Sequence, residues 1–92
     1  MEIREVETDT KGSFSIEIDG KKAAEMTYSK AGLDRIIVDH TEVGDTYRGT
    51  GLGLKLVAHA VEFVRDRKLK MLPLCPFTKA TLLRHPEWND IW

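Results

Sequence analysis

Over residues 13–19 the chain alternates without a break, with Phe14, Ile16 and Ile18 on one side and Ser13, Ser15 and Glu17 on the other. That is the period of a strand with one buried face. Asp19-Gly20 follows, a pair that tolerates the positive φ values of a tight hairpin turn, and Ala24, Met26 and Tyr28 then alternate with Glu25 and Thr27. The two runs predict a β-hairpin. A weaker strand is expected over 2–7, and a good one over 33–43, entered through the turn residues Lys30-Ala31-Gly32. The front half therefore reads as an antiparallel meander.

After Val43 the period changes. Gly53, Leu56, Val57, Ala60, Val61 and Val64 fall on one helical face, while Lys55, Glu62, Arg65 and Asp66 fall largely opposite. This predicts a helix over 51–67, with His59 on its solvent side. Leu69 to Leu74 make a short apolar run of strand length, and a helix between two strands implies a βαβ unit in which 33–43 and 69–74 run parallel. Pro73 removes one N–H from that last strand, which weakens pairing on one side and predicts a splayed pair. Pro76 suits the first turn of a second helix over 77–84, which His85-Pro86 should stop. The tail EWNDIW, with two Trp and one Ile, is expected to dock on the body. The predicted class is α+β, a small sheet with two main helices.

Length and composition narrow the functions. Ninety-two residues suit a single domain. With 14 basic and 15 acidic side chains the formal charge is −1, which lacks the basic excess that drives phosphate-backbone binding, so nucleic acid is not an expected partner. No apolar run approaches the ~20 residues of a bilayer crossing, and the first residues carry no apolar stretch of signal-peptide type. A cytoplasmic protein is expected. The single cysteine makes no internal disulfide, and without clustered Cys, His or carboxylates no metal is predicted.

The most informative stretch is YRGTGLGLK at 47–55, between the end of a strand and the start of a helix. Three Gly in five positions let the backbone turn tightly and approach a ligand closely. The unpaired N–H groups of the helix that follows point into that turn with the positive end of the dipole, so the loop reads as a phosphate or pyrophosphate site. Spacing excludes two common versions. A P-loop needs Gly directly before Lys and then Ser or Thr, but Leu54 precedes Lys55 and Leu56 follows; a dinucleotide GxGxxG counted from Gly49 would put its third glycine at Leu54.

Arg48, Gly51 and Gly53 in this setting resemble the Q/R-x-x-G-x-G/A signature of the GCN5-related N-acetyltransferases. Together, HTEV at 40–43, RGTGLG at 48–53, LCPF at 74–77 and HPEW at 85–88 resemble the small, shortened branch of that family, over the whole chain. The resemblance implies acetyl-coenzyme A as co-substrate and an amine as acceptor. It assigns Arg48, Gly49, Thr50, Gly51, Leu52 and Gly53 to the pyrophosphate, Val43 to main-chain contact with pantetheine, and an added side-chain contact to Lys55.

In open parallel sheets ligands sit at the carboxyl ends of strands, which points to His40, Thr41, Glu42 and Cys75. Strand alternation places Ile36, Val38, His40 and Glu42 on one side and Ile37, Asp39, Thr41 and Val43 on the other. Glu42, with His40, is a candidate base for removing the proton of an attacking amine, and stands roughly where the resemblance places a general-base glutamate. Cys75, just before Pro76, sits at or near a helix N-cap where the dipole favours thiolate, so it is a candidate nucleophile for two-step acetyl transfer. His85, ten positions beyond Cys75, is read as a helix terminator. Two rivals stand beside the enzyme: a non-catalytic acyl-coenzyme A binding or sensing module, and an interaction domain using the Trp88/Trp92 tail as an apolar patch. The edge strand is compatible with a monomer or a weak dimer.

Overall fold

The computed structural model describes residues 2–92. Its strands are β1 (Ile3–Glu7), β2 (Lys11–Ile18), β3 (Lys21–Ala31), β4 (Arg35–Val43) and β5 (Lys70–Pro73), and its helices are α1 (Leu52–Asp66) and α2 (Pro76–Leu83). Short 3₁₀ turns, Asp45–Tyr47 and Pro86–Ile91, follow β4 and α2. The strands form one five-stranded sheet in chain order, antiparallel from β1 to β4 and parallel between β4 and β5. The expected meander and βαβ unit are both present.

The expected turn between β2 and β3 holds Asp19 at φ 52° and Gly20 at φ 77°, the left-handed pair that lets the hairpin close in register. Both strands extend beyond their alternating segments, because backbone pairing continues after side-chain burial stops. The strand expected over 33–43 is β4 and begins later, because β3 runs on through Lys30 and Ala31 and Leu33 is fully exposed in the turn before Arg35.

Phe14, Ile16, Ala24, Met26, Tyr28, Ile36 and Val38 are buried on one face of the sheet, against Leu56, Val57, Ala60, Val61 and Val64 of α1. Gly51 in the left-handed region caps the start of α1 and Arg67 its end. His59 corrects the surface expectation. Its ring packs edge-on against Phe14 at 4.9 Å and Nε2 meets Glu5 Oε2, because the sheet extends past the flank of the apolar stripe. Phe63, one turn further on, packs on the same Phe14 ring at 5.1 Å.

The tail docks through buried Ile91 and partly buried Trp88, while Arg65 of α1 holds it from outside with bonds of 3.1 and 2.7 Å to Asp90 and 2.8 Å to the carbonyl of Glu87. At the opposite edge Glu7 receives two 2.8 Å bonds from Arg67 and one 2.6 Å ion pair from Lys30, joining β1, the end of α1 and β3.

Candidate active site

Parallel pairing of β4 with β5 ends at Val38 opposite Pro73, although β4 continues to Val43. The N–H groups of Leu74 and Cys75 both close onto the carbonyl of Val38 at 3.1 Å, and the chain then leaves the sheet as α2. The N–H groups of Lys70 and Leu74 both donate toward β4, so the nitrogen of Pro73 faces away from it and costs that pair no bond; the gap opens because β5 ends here, which corrects the splaying expected from Pro73. Gly44 N–H donates to Ala23 on the β3 side at 2.8 Å, so strand alternation turns the backbone groups of Val43 and Thr41 toward the gap.

A bulge alters which side chains share a face. Thr27 pairs with His40 but Tyr28 pairs with Val38, so Asp39 is the extra residue. Beyond it Thr41 lies opposite Met26 and Val43 opposite Ala24, which puts both on the helix-covered face with Ile36 and Val38. His40 and Glu42 stand on the open face. This corrects the alternation read from the sequence, which grouped them with Ile36 and Val38. They remain neighbours, with His40 Nε2 3.0 Å from Glu42 Oε1, and this bond is the main reason the imidazole pKa is raised above its ordinary value.

The gap opens into a groove of about 920 Å³ bordered by Thr41, Glu42 and Val43 at the strand end and by Arg48, Gly49 and Gly51 in the turn. The turn is left-handed at Gly49 (φ 80°) and Gly51 (φ 86°). Only with Lys55 N–H to Gly51 at 3.1 Å does the α-helical bonding of α1 begin, so the N–H groups of Leu52, Gly53 and Leu54 lack intrahelical partners. Among the described residues no side chain caps them, and no acidic residue lies in the first turn, which leaves the positive helix end free for an anion. Gly53 is needed for a different reason: a Cβ there would lie 2.5 Å from the Phe77 ring of α2. Thr50 turns its hydroxyl back to the carbonyl of Tyr47, and both Thr50 and Lys55 lie outside the groove lining. Arg48 is exposed, in a 3.2 Å pair with Asp45 that water screens strongly.

Cys75 is the N-cap of α2, as expected, but it is only 4% exposed and does not border the groove. Burial, the largest single influence, pushes its thiol up. The hydroxyl of Thr41, the N–H and hydroxyl of Thr78 and the N–H of Phe77 together outweigh burial, so the thiol lies below its ordinary value. Thr41 and Thr78 are themselves joined at 3.2 Å, across the space between β4 and α2. Thr78, fully buried, was missed in the sequence; its position one turn beyond Cys75 was the available signal.

A strand end, a splayed gap, a left-handed glycine turn and an unneutralised helix start make a site shaped for a coenzyme with an extended arm and a diphosphate. Residues 13–91 match the family model of the GCN5-related N-acetyltransferases, and the chain belongs to that family. It carries an acyltransferase domain of that kind. Among curated relatives, protein NATD1 of Xenopus tropicalis is 31% identical over 83 residues, covering 88% of this chain and 76% of its own, and human NATD1 is 30% identical over 74 residues, covering 79% and 66%. A GCN5-like protein from Staphylococcus aureus, solved by NMR, superposes with a TM-score of 0.73 at 31% identity, covering 98% of this chain and 85% of its own. The ribosomal-protein-S18-alanine N-acetyltransferase of Escherichia coli shares the fold, with a TM-score of 0.71 at 19% identity over 90% of this chain and 54% of its own.

Proposed function

We propose that the protein transfers the acetyl group of acetyl-coenzyme A to an amine. The observation that carries this reading is the gap beyond Val38 and Pro73, which leads along the backbone of Thr41 and Val43 to the left-handed turn at the start of α1. In this reading Arg48, Gly49, Gly51, Leu52 and Gly53 hold the pyrophosphate through backbone N–H groups and one guanidinium. The turn of Thr50 supports that shape, and Lys55 adds long-range charge rather than a contact. The carbonyl and N–H of Val43 pair with the amides of pantetheine as a neighbouring strand would.

The acetyl end then lies near the mouth of the gap, where Glu42 borders the groove with His40 beside it. Glu42, directly or through His40, takes a proton from the ammonium acceptor. The free amine nitrogen attacks the thioester carbonyl, a C–N bond forms, the C–S bond breaks, and the coenzyme leaves as thiolate, which takes up the proton that the nitrogen gives off as it becomes the amide. An open mouth suits a peptide or protein amine as well as a small one.

The depressed thiol of Cys75 favours a second reading, in which its thiolate first takes the acetyl group as a thioester and then passes it to the amine. The near-complete burial of Cys75 requires the first turn of α2 to open for this route. Native mass spectrometry with acetyl-coenzyme A, followed by denaturing intact mass and an amine panel, separates the possibilities. A complex with turnover in both wild type and Cys75→Ala supports direct transfer, and a Cys75-dependent acetyl adduct supports the two-step route. A complex without turnover on any amine identifies a sensing module. Absence of a complex refutes the coenzyme reading.

A further inference from the structure

The groove runs on past the loop, along α2, beyond what the pyrophosphate and pantetheine require. Phe77, Thr81 and Arg84 border it on one stripe of the helix, spaced so that Arg84 stands about 10 Å along the axis from Phe77. Phe77 is pinned against Gly53 at the loop, which fixes the direction of the stripe: it starts at the diphosphate site and leads away from it. Beside its start, Leu54 and Phe77 are each 42% exposed, an apolar surface open to a flat ring.

The basic side chains on the groove differ in their commitments. Lys22 is paired with Glu25 at 2.7 Å and Arg48 with Asp45 at 3.2 Å. The ring of His85 is stacked on Trp88 at 4.4 Å and held by Glu87 at 3.1 Å. Arg84 is exposed and, among the described residues, has no carboxylate partner.

We propose that Leu54, Phe77 and Arg84 form the subsite for the 3′-phosphoadenosine end of the coenzyme, with the Arg84 guanidinium binding the 3′-phosphate. This rests on the coenzyme reading above. A ribose separates that phosphate from the diphosphate by a few bonds, and a long arginine side chain on the same stripe spans the remainder. The planar fork of two N–H donors suits a phosphate dianion, whereas the adenine packs on the exposed edges of Phe77 and Leu54. Arg84 is thus a specificity residue that distinguishes coenzyme A from the same molecule without its 3′-phosphate.

Isothermal titration of wild type, Arg84→Ala and Arg84→Lys with coenzyme A and with 3′-dephospho-coenzyme A tests the assignment. Wild type should prefer coenzyme A by roughly tenfold, about 1.4 kcal/mol. Arg84→Ala should bind coenzyme A about tenfold more weakly and the dephospho form as wild type does, so the preference disappears; Arg84→Lys should keep part of it. Arg84 is exposed at the end of α2, and unchanged thermal melting should confirm that each variant is folded. A preference that survives in Arg84→Ala, or a wild type with no preference, overturns the assignment while leaving coenzyme binding intact. An Arg84→Ala defect that appears only in the KM of the amine overturns it in favour of acceptor contact. Failure of wild type to bind either form removes the coenzyme reading itself.

Discussion

Replacing Glu7 by Gln leaves the shape of the side chain and removes its charge, at the point where β1, β3 and the end of α1 are joined. Two bonds from Arg67 and the ion pair with Lys30 hold the carboxyl pKa down at about 2, against an ordinary value near 4.5. A depressed acid stabilises the fold above the pKa it has when unfolded, and that contribution is lost as pH falls through the folded value. The full shift corresponds to a ceiling of ~3 kcal/mol. Glu7 is 31% exposed and Arg67 45%, so water and salt screen the cluster, and about 1–1.5 kcal/mol is the expected loss at pH 7. For a domain of this size that is a fall in Tm of roughly 5–10 °C. Urea unfolding of wild type and Glu7→Gln from pH 7 to pH 2 should give a difference that is constant above about pH 5 and closes between pH 4.5 and 2. An equal deficit at pH 2.5 and pH 7 would mean that Gln disturbs packing, and the charge argument would be refuted.

Other substitutions probe other parts of the molecule. Gly51→Ala places a Cβ at φ 86° and should cost ~1–2 kcal/mol by chemical denaturation, with coenzyme affinity falling further than stability; equal affinity would show that the turn does not hold the ligand. Gly12→Ala pushes a methyl to within 2.2 Å of the buried Tyr28 ring and should destabilise by ~1–3 kcal/mol in the same assay, whereas a neutral result would mean that β2 can shift away. Glu42→Gln should lower the acetylation rate, and because Glu42 raises the pKa of His40, it should also move the acid limb of the pH–rate profile to lower pH. An unchanged rate and profile would remove the pair from the proton path. Cys75→Ser keeps the cap position, so direct transfer predicts near-normal turnover, while loss of turnover with coenzyme binding intact supports the thioester route.

The parts of the fold set by side-chain period were legible in the sequence. The alternation around Phe14 and Met26 gave the hairpin, and the apolar stripe from Gly53 to Val64 gave α1; Pro73 pointed to the gap for the wrong reason, since its nitrogen faces away from β4. The loop glycines were legible too, because left-handed backbone has a compositional signature. What escaped depends on contacts between distant segments. Nothing around Gly53 shows that Phe77 lies against it, and although Thr41 and Cys75 were both read at neighbouring strand ends, strand alternation put Thr41 on the wrong face because the bulge at Asp39 has no local sign. His59 gave no local sign of its contact with Phe14, since the width of the sheet beneath a helix is not written into the helix.

The extra residue at Asp39 divides β4 into two half-strands of opposite parity. The first half turns Ile36 and Val38 to the helices, and the second turns Thr41 and Val43 the same way only because one position has been skipped. Deleting Asp39 would leave every other letter in place, yet it would invert the second half: His40 and Glu42 would be forced under the helices, and Thr41 would leave Thr78 and Cys75. A single inserted residue with no contact to the groove thus decides which side chains face it, much as one nucleotide decides the frame of everything downstream.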